Sequence, residues 1–351
     1  MNTSKSRSRQ RTTCGSIARH FNSGVARQRI EAAPARQAIE PRRAGGGAAI
    51  VLLLAAAVLT SAASHVFAAE QHSLRGMLLK VDREHGVIVV SCNAVPGYME
   101  SMVMEFVVHR PAELRAIEPG TTVSFNMVEQ KHQVYAEHLQ QIAGESPEAE
   151  PAEAARLTYL HRVLSPTAAA RVVPVGGLVP DFTLSDQTHA PTRLEHFRGK
   201  VVVLSFTYSR CPNPNYCFRL SNNLSILGKR FRESMGRDLM LMTIVIDPDN
   251  DRGKALQSYA EIWRADPRGW RFLTGSLPEV SSVAELFGMS FWSDEGFLTH
   301  PFHTVVIDRS GRLAANVEGN QFAATQLGDL VQTVMQREPA HQPSARVKAG
   351  H

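Results

Sequence analysis

Residues 201–217 constrain the fold of this chain more than any other stretch, because an apolar run ends there in two cysteines. The run is rich in Val, Leu and Phe, which is typical of a strand buried on both faces, and residues 220–232 beyond it have helical spacing. Cys211 and Cys217 are therefore expected on the loop between the carboxyl end of a strand and a helix. Helix amides at that position favour the thiolate, which is the form that binds metals and attacks disulfides.

The basic character of the chain comes from its amino terminus. Residues 1–43 hold ten Lys and Arg against two Glu, so a net charge of about +8 lies there within +5 overall. The remaining residues carry a net charge of about −3. Nucleic-acid binding, which the high isoelectric point alone would suggest, is therefore not expected of the main body.

An export signal is predicted directly after this basic leader. Residues 44–69 contain no Asp, Glu, Lys or Arg, and residues 50–59 are densely apolar. The apolar part is shorter than the ~20 residues that a membrane span needs, which favours a cleaved signal peptide over an uncleaved membrane anchor. With either, the rest of the chain is expected in the periplasm, with membrane contact only through such an anchor.

Composition and patterning divide the chain into five predicted segments: a leader with signal peptide or anchor (1–69), a β-barrel (70–143), a flexible linker (144–173), an α/β domain (174–337) and a disordered tail (338–351). The linker is acidic and contains proline, with a helix expected over 152–164, and its composition is typical of a solvated tether. Such a tether would let one domain pass a ligand to the other at high effective concentration.

The first predicted domain is all-β. Short apolar runs separated by turn signals predict a small closed, OB-like barrel of five strands. The predicted strands are 74–81, 86–92, 104–108, 121–128 and 133–142.

Strands and helices alternate in the second predicted domain, as in a parallel or mixed α/β sheet, and their order predicts a thioredoxin-like fold. The predicted strands are 182–184, 201–208, 239–247, 304–308 and 313–317. The predicted helices are 220–231, 253–262, 278–287 and 322–335.

A cysteine and three methionines within the barrel form the first candidate metal site. They are Cys92, Met99, Met102 and Met104, and the last two would share one face of a strand because they alternate across one residue. Soft sulfur ligands select Cu(I), although methionines also fill small cores. The stretch 92–106 resembles the CusF-like periplasmic copper-binding domains. This resemblance implies that Met102 and Met104 bind Cu(I), with Cys92 in place of the family's histidine and Met99 in place of its aromatic residue.

The second candidate site combines the two cysteines of residues 201–217 with a histidine. His300 and His303 lie just before the predicted strand 304–308, which in a thioredoxin-like sheet neighbours the strand that leads to Cys211. Two thiolates and an imidazole would suit Cu(I) and accept Cu(II). A structural disulfide between Cys211 and Cys217 and histidines at the surface are the alternative interpretations.

The α/β domain resembles the SCO/SenC family of exported thioredoxin-fold copper proteins. The resemblance rests on residues 180–184, 206–211 and 246–251, and on His300 eight residues before Asp308. It implies that Cys211, Cys217 and His300 bind copper. Five residues separate the cysteines here, whereas three are usual in the family, so the geometry of the two sulfurs is expected to differ.

The function that these resemblances imply is a copper metallochaperone that delivers copper to the cytochrome c oxidase subunit carrying the CuA site. A periplasmic thiol-disulfide oxidoreductase using Cys211 and Cys217 is the first alternative, and copper resistance or sequestration is the second. Asp247, Asp249 and Asp251 lack the glycine and closing glutamate of a calcium loop, so they are expected to form a polar turn near the site.

Overall fold

The computed structural model describes residues 72–130, 132–142, 172–294 and 297–337. The predictions for the leader and export signal, for the helix at 152–164 and for the tail fall outside these residues. Among the residues that the structure does describe, no helix combines the length and the apolar character needed to cross a membrane.

The first part of the structure is a closed barrel of five strands, as the sequence predicts. The strands are β1 (His72–Asp82), β2 (Val87–Cys92), β3 (Met102–Val108), β4 (Thr122–Gln130) and β5 (Gln133–Ile142). Around the barrel the order is β1-β2-β3-β5-β4, with β3 and β5 parallel and the other neighbours antiparallel. The third strand begins two residues earlier than expected, so Met102 and Met104 both lie on it.

Strand β1 buries side chains on both faces. Leu74 and Leu78 point into the barrel core, while Met77 and Leu79 belong to a second core outside the barrel. Ordinary alternation places consecutive apolar residues of β1 on opposite faces. The pairing of β1 with β2 shifts register between Leu78 and Lys80, after which Val81 packs against the barrel core again. A strand of this kind needs a second layer of protein against its outer face.

The second layer is an α/β domain built on a seven-stranded sheet. Its strands are β6 (Thr183–Asp186), β7 (Pro191–Arg193), β8 (Val201–Thr207), β9 (Leu239–Val245), β10 (Trp270–Thr274), β13 (His303–Ile307) and β14 (Leu313–Glu318), and a separate hairpin holds β11 (Trp292–Asp294) and β12 (Phe297–Thr299). Its helices are α1 (Arg219–Arg230), α2 (Lys254–Ile262), α3 (Leu277–Glu285) and α4 (Ala324–Gln336).

The order of the sheet is β14-β13-β8-β9-β10-β6-β7, with β8, β9 and β10 parallel and the hairpin β13-β14 antiparallel. Apolar residues of α1, α2 and α4 cover one face and those of α3 cover the other. This is the thioredoxin-like arrangement that the sequence predicts. The sequence prediction omits β7, β10 and the β11-β12 hairpin, and it places β13 next to β8 correctly.

The barrel and the α/β domain pack into a single compact unit. Met77 and Leu79 of β1 are 1% and 0% exposed, and they share one apolar cluster with Val317 of β14 and Leu330 of α4. The loop before β4 also approaches β14 closely. A side chain at Gly120, which has a positive φ of 91°, would meet Val317 at 3.0 Å.

Hydrogen bonds fix the orientation of this contact. The Ser91 hydroxyl donates to Asp329 of α4 at 2.8 Å. The Gln326 side-chain amide, also on α4, donates to the Ser91 carbonyl at 3.1 Å and to Asn93 Oδ1 at 2.8 Å. At the other end of α4, Arg337 donates to the Leu79 carbonyl at 3.3 Å. Apolar burial and directed polar contacts therefore hold the barrel in one position.

We expect Leu79→Ala to destabilise the α/β domain although the residue belongs to the barrel. Removing a buried leucine costs about 2–5 kcal/mol through lost burial and the cavity left behind. All three tryptophans of the chain lie in the α/β domain, so their fluorescence during urea unfolding reports on that domain. Lys80→Ala, at an exposed neighbour on the same strand, is the control. An unchanged tryptophan transition in Leu79→Ala would contradict the docking of the barrel.

Candidate metal centres

The cysteine loop begins where the central strand β8 ends. All seven residues of β8 are buried, and the two residues that follow Tyr208 are held by acidic side chains. Ser209 donates its backbone N–H to Asp251 at 2.8 Å, and its hydroxyl bonds to the same carboxylate. Arg210 forms an ion pair with Asp247 at 2.7 Å. The expectation of a polar turn near the site is thus met by these two aspartates, whereas the exposed Asp249 bonds only to Arg252.

A single π-helical turn, Pro214–Phe218, joins this loop to α1 and carries the second cysteine. The Asn213 side chain caps the turn by accepting the N–H of Asn215 at 2.9 Å. The Cys217 thiol is 1% exposed and lies in the apolar cluster beneath α3, while Cys211 is half-buried. The turn therefore directs Cys217 inward, beneath Cys211.

The thiols of Cys211 and Cys217 interact with each other. Cys92, Cys211 and Cys217 are all free of disulfides. The Cys217 thiol donates to Cys211 and is the main reason that the pKa of Cys211 falls to about 6. Burial acts in the opposite direction, and the backbone N–H of Cys217 lowers the pKa further. The thiolate predicted from helix amides is therefore stabilised first by the neighbouring thiol.

His300 completes the cluster from the arm that precedes β13. Its Nε2 atom lies 3.9 Å from Cys217 Sγ. Its Nδ1 atom is 2.9 Å from the Pro301 carbonyl. A carbonyl can only accept, so Nδ1 carries the proton and Nε2 is the unprotonated nitrogen, on the side of Cys217 Sγ. Burial lowers the pKa of His300 to about 4, so the ring is neutral at pH 7.

These positions fit a metal ion bound by sulfur and nitrogen. Bonds of about 2.3 Å to sulfur and 2.0 Å to nitrogen, the lengths typical of zinc, would place the two atoms about 3.7 Å apart at a trigonal angle. The observed separation of 3.9 Å between Cys217 Sγ and His300 Nε2 is close to this value. Within the described part of the chain, no three His, Cys, Asp or Glu side chains are already gathered into a complete metal cage. Cys211, which interacts with Cys217, is the third residue that would complete such a site.

The structure gives His300 and His303 different partners, a distinction that the sequence alone could not make. His303 Nδ1 lies 2.9 Å from Asn316 Oδ1, and Asn316 in turn donates to the Phe287 carbonyl at 2.9 Å. This arrangement gives His303 a buried polar partner on β14. His300 is the histidine that contacts Cys217, and it is the one that the family resemblance implies.

The candidate site of the barrel lies at the end of β2 and β3. Cys92 is directly opposite Met102, and Val90 is directly opposite Met104, so both methionines and the cysteine face inward. Met104 and Met99 pack against the barrel core, while Met102 is 51% exposed. Cys92, Met102 and Met104 thus share one face of the β2–β3 pair, with Met102 at the solvent and Met99 packed against the same core.

Cys92 differs from Cys211 in its electrostatic environment. Its side chain is fully buried, and its thiol points to the Val90 carbonyl at 3.8 Å. Burial raises the pKa of Cys92 to about 12, because the apolar core disfavours the thiolate. The thioethers of the methionines need no deprotonation, so they are the ligands that this end of the barrel offers at neutral pH.

Sequence reasoning did not identify several residues that shape the first site. Tyr208 is 4% exposed, and its ring lies 6.1 Å from that of His300 in an edge-on arrangement. Burial and the nearby Cys211 raise the pKa of Tyr208, so it stays a neutral hydroxyl beside the thiols. Asn213 could have been recognised as a capping residue before Pro214. No neighbouring residue in the sequence indicates the role of Asn320, whose side chain bonds to the cysteine loop.

The three cysteines of the described residues are expected to differ sharply in reactivity toward iodoacetamide in the metal-free protein. With a pKa of about 6, Cys211 is half thiolate at that pH and mostly thiolate at pH 7, where an ordinary cysteine is a few per cent thiolate. Cys92 should remain unmodified in the folded protein up to about pH 9 because it is buried and its pKa is about 12. Mass spectrometry of the modified peptides across pH measures each thiol separately.

A matched pair of variants tests the cause of the Cys211 shift. Cys217→Ala removes the donor and should move the midpoint of Cys211 alkylation upward, toward the ordinary value near 8.5. Cys217→Ser keeps a hydroxyl donor and should retain most of the lowering. A midpoint in Cys217→Ala equal to that of the unchanged protein would rule out the thiol–thiol interaction as the cause.

Comparison with known proteins agrees with this organisation. Residues 175–336 match the family model SCO1/SenC, and residues 71–141 match that of the copper binding periplasmic protein CusF. The chain is 27% identical over 112 residues to the SCO1 protein homolog of Bacillus subtilis, covering 32% of this chain and 56% of that relative. The chain thus spans little more than half the length of this curated relative.

Solved structures are also similar to the α/β part. A SCO1/SenC family lipoprotein from Bacillus anthracis is 22% identical with a TM-score of 0.42, covering 46% of this chain and 96% of that one. ScoI of Arabidopsis thaliana with copper bound is 20% identical with a TM-score of 0.41, covering 46% and 100%. The family matches thus divide the chain into a region similar to SCO1/SenC proteins, residues 175–336, and a region similar to CusF, residues 71–141.

Proposed function

We propose that this chain is an exported copper-binding metallochaperone that delivers copper to the CuA-bearing subunit of cytochrome c oxidase. The matches to the SCO1/SenC and CusF families support copper binding. The observation that carries the proposal is the contact between Cys217 and the unprotonated Nε2 of His300, beside the ionised Cys211. Two thiolates and one imidazole bind Cu(I) and also accept Cu(II).

The barrel would act as the first acceptor of Cu(I). Met102 is exposed at the barrel end and Met104 lies behind it on the same face. Thioethers are soft, neutral ligands that select Cu(I) without releasing protons. Thiolates bind Cu(I) more strongly than thioethers do, so the direction of transfer is from the methionines to Cys211 and Cys217.

Thiol-disulfide exchange is a second candidate function, and the low pKa of Cys211 favours it. The Cys211 thiolate would attack one sulfur of a substrate disulfide and release the other as a thiolate. Cys217 would then attack the mixed disulfide, giving a Cys211–Cys217 disulfide and the fully reduced substrate. A reductase of this type could prepare the oxidase cysteines for copper.

Substituting each of the two histidines should show which one is a metal ligand and which one only lies near the site. His300→Ala is expected to remove the nitrogen ligand, so X-ray absorption of the copper-loaded protein should show sulfur ligands only. His303→Gln keeps a side-chain donor that can reach Asn316 and should leave the nitrogen contribution intact. Metal-free His300→Ala that still reduces a disulfide substrate would favour the oxidoreductase. A nitrogen ligand retained in His300→Ala would contradict the assigned site.

Loss of the barrel methionines should lower copper stoichiometry by about one ion per chain. Met102→Leu/Met104→Leu preserves side-chain volume while removing both thioethers. Met127→Leu is the matched control, because Met127 is buried in the same barrel core at 4% exposure. Equal stoichiometry in the double variant and the control would show that the barrel binds no copper through this pair.

Delivery itself can be measured by mixing the copper-loaded chain with a metal-free CuA subunit. The proposal predicts copper transfer and the appearance of the CuA absorption bands. Retention of copper by the chain at equilibrium would instead support resistance or sequestration.

A further inference from the structure

One short segment of the α/β domain touches both cysteine-bearing parts of the molecule. This connecting segment, residues 319–326, runs from the end of β14 into the first turn of α4. It forms hydrogen bonds with the histidine arm, with the cysteine loop and with the barrel, and each bond involves a different residue of the segment.

At its beginning the connecting segment holds the histidine arm and the cysteine loop. The Gly319 N–H donates to the Phe302 carbonyl at 2.9 Å, two residues beyond His300. The Asn320 side-chain amide donates to the Asn215 carbonyl at 2.7 Å, within the turn that carries Cys217. Asn320 is 0% exposed, so this bond is shielded from water.

The position of Asn320 is itself fixed by the helix after the cysteine loop. Arg219, the first residue of α1, donates through Nε to the Asn320 carbonyl at 2.7 Å. Asn223, one turn further, donates to the Phe322 carbonyl at 3.3 Å. Gln321 donates to Asn320 Oδ1 at 3.0 Å, which orients the amide so that its NH₂ group faces Asn215.

At its other end the segment holds the barrel. Gln326 uses its oxygen to accept the Ala323 N–H at 3.0 Å at the start of α4. Its NH₂ group is then free to donate to the Ser91 carbonyl and to Asn93, the two neighbours of Cys92. One side chain thus joins the helix start to the strand end that carries the barrel cysteine.

The two ends of the segment are close together along the chain. Five residues separate Asn320 from Gln326, so the two are six residue steps apart and at most about 22 Å apart if fully extended. The segment is shorter than this limit, because its last residues already belong to α4. Displacement of the barrel would therefore act directly on the residues that hold the cysteine loop.

We propose that the connecting segment positions the Cys211–Cys217 loop against the docked barrel, with Asn320 and Gln326 as the positioning residues at its two ends. Burial of Cys217 then depends on the barrel being in place. The inference depends on the proposed function only for the identity of the metal, since the contacts belong to the metal-free protein.

Alkylation of Cys217 in the metal-free full chain tests this proposal, with Cys92 as an internal reference for general unfolding. Asn320→Asp keeps the oxygen that Gln321 contacts but loses the donor to Asn215. Gln326→Glu keeps the oxygen that caps α4 but loses the donors to Ser91 and Asn93. Loss of one buried hydrogen bond should speed iodoacetamide modification of Cys217 about fivefold or more in each variant, with Cys92 unchanged.

Two further variants keep the test decisive. Thr325→Ala, at an exposed residue of the same segment, should leave the Cys217 rate unchanged. Asn93→Ala removes an acceptor from the barrel side at an exposed position, and it replaces Gln326→Glu if that variant does not fold. The proposal is overturned if the barrel-side variants leave Cys217 at its original rate. It is equally overturned if Cys92 accelerates as much as Cys217, or if Thr325→Ala matches Asn320→Asp.

Discussion

The contact between the outer face of β1 and the helix α4 determines how the two metal-binding parts of this protein relate to each other. Met77 and Leu79 are apolar residues on the outside of a barrel, and they leave water only because Leu330 and Val317 cover them. Burying two such side chains contributes about 1.5–3 kcal/mol each. Hydrogen bonds from Gln326 and Arg337 then select a single orientation. The barrel is therefore a docked part of the thioredoxin-like unit, whereas the sequence suggested two domains that meet only through a tether.

Three cysteines in one chain acquire different chemistry from their surroundings. Cys211 receives a hydrogen bond from Cys217 and ionises at about pH 6, whereas Cys92 lies in an apolar core that raises its pKa to about 12. Cys217 is buried like Cys92, but it contacts the neutral imidazole of His300. The α/β site is thus ready to bind a soft metal at neutral pH, and the barrel offers mainly thioethers. This difference supports the proposed direction of metal transfer, from the barrel to the α/β site.

The sequence predicted the elements well and the long-range contacts poorly. Short apolar runs separated by turn signals identified all five barrel strands, and the apolar run 201–208 identified the central strand. The strand β10 was not predicted because its five residues, Trp270–Thr274, lack clear alternation and follow a turn rich in charged residues. His300 and His303 were indistinguishable locally, since Asn316, which binds His303, lies on the next strand. Asn320 and Gln326 act on residues more than 100 positions away, and no local pattern reveals such partners.

The most direct test of this account is the tumbling of the two parts in solution. Nitrogen-15 relaxation of backbone amides in the metal-free protein gives a rotational correlation time for residues of the barrel and for those of the α/β domain. A docked barrel predicts the same correlation time for strands β1 to β5 as for β8, β9 and α4. A distinctly shorter correlation time for the barrel amides would show that it moves independently, which would contradict the account.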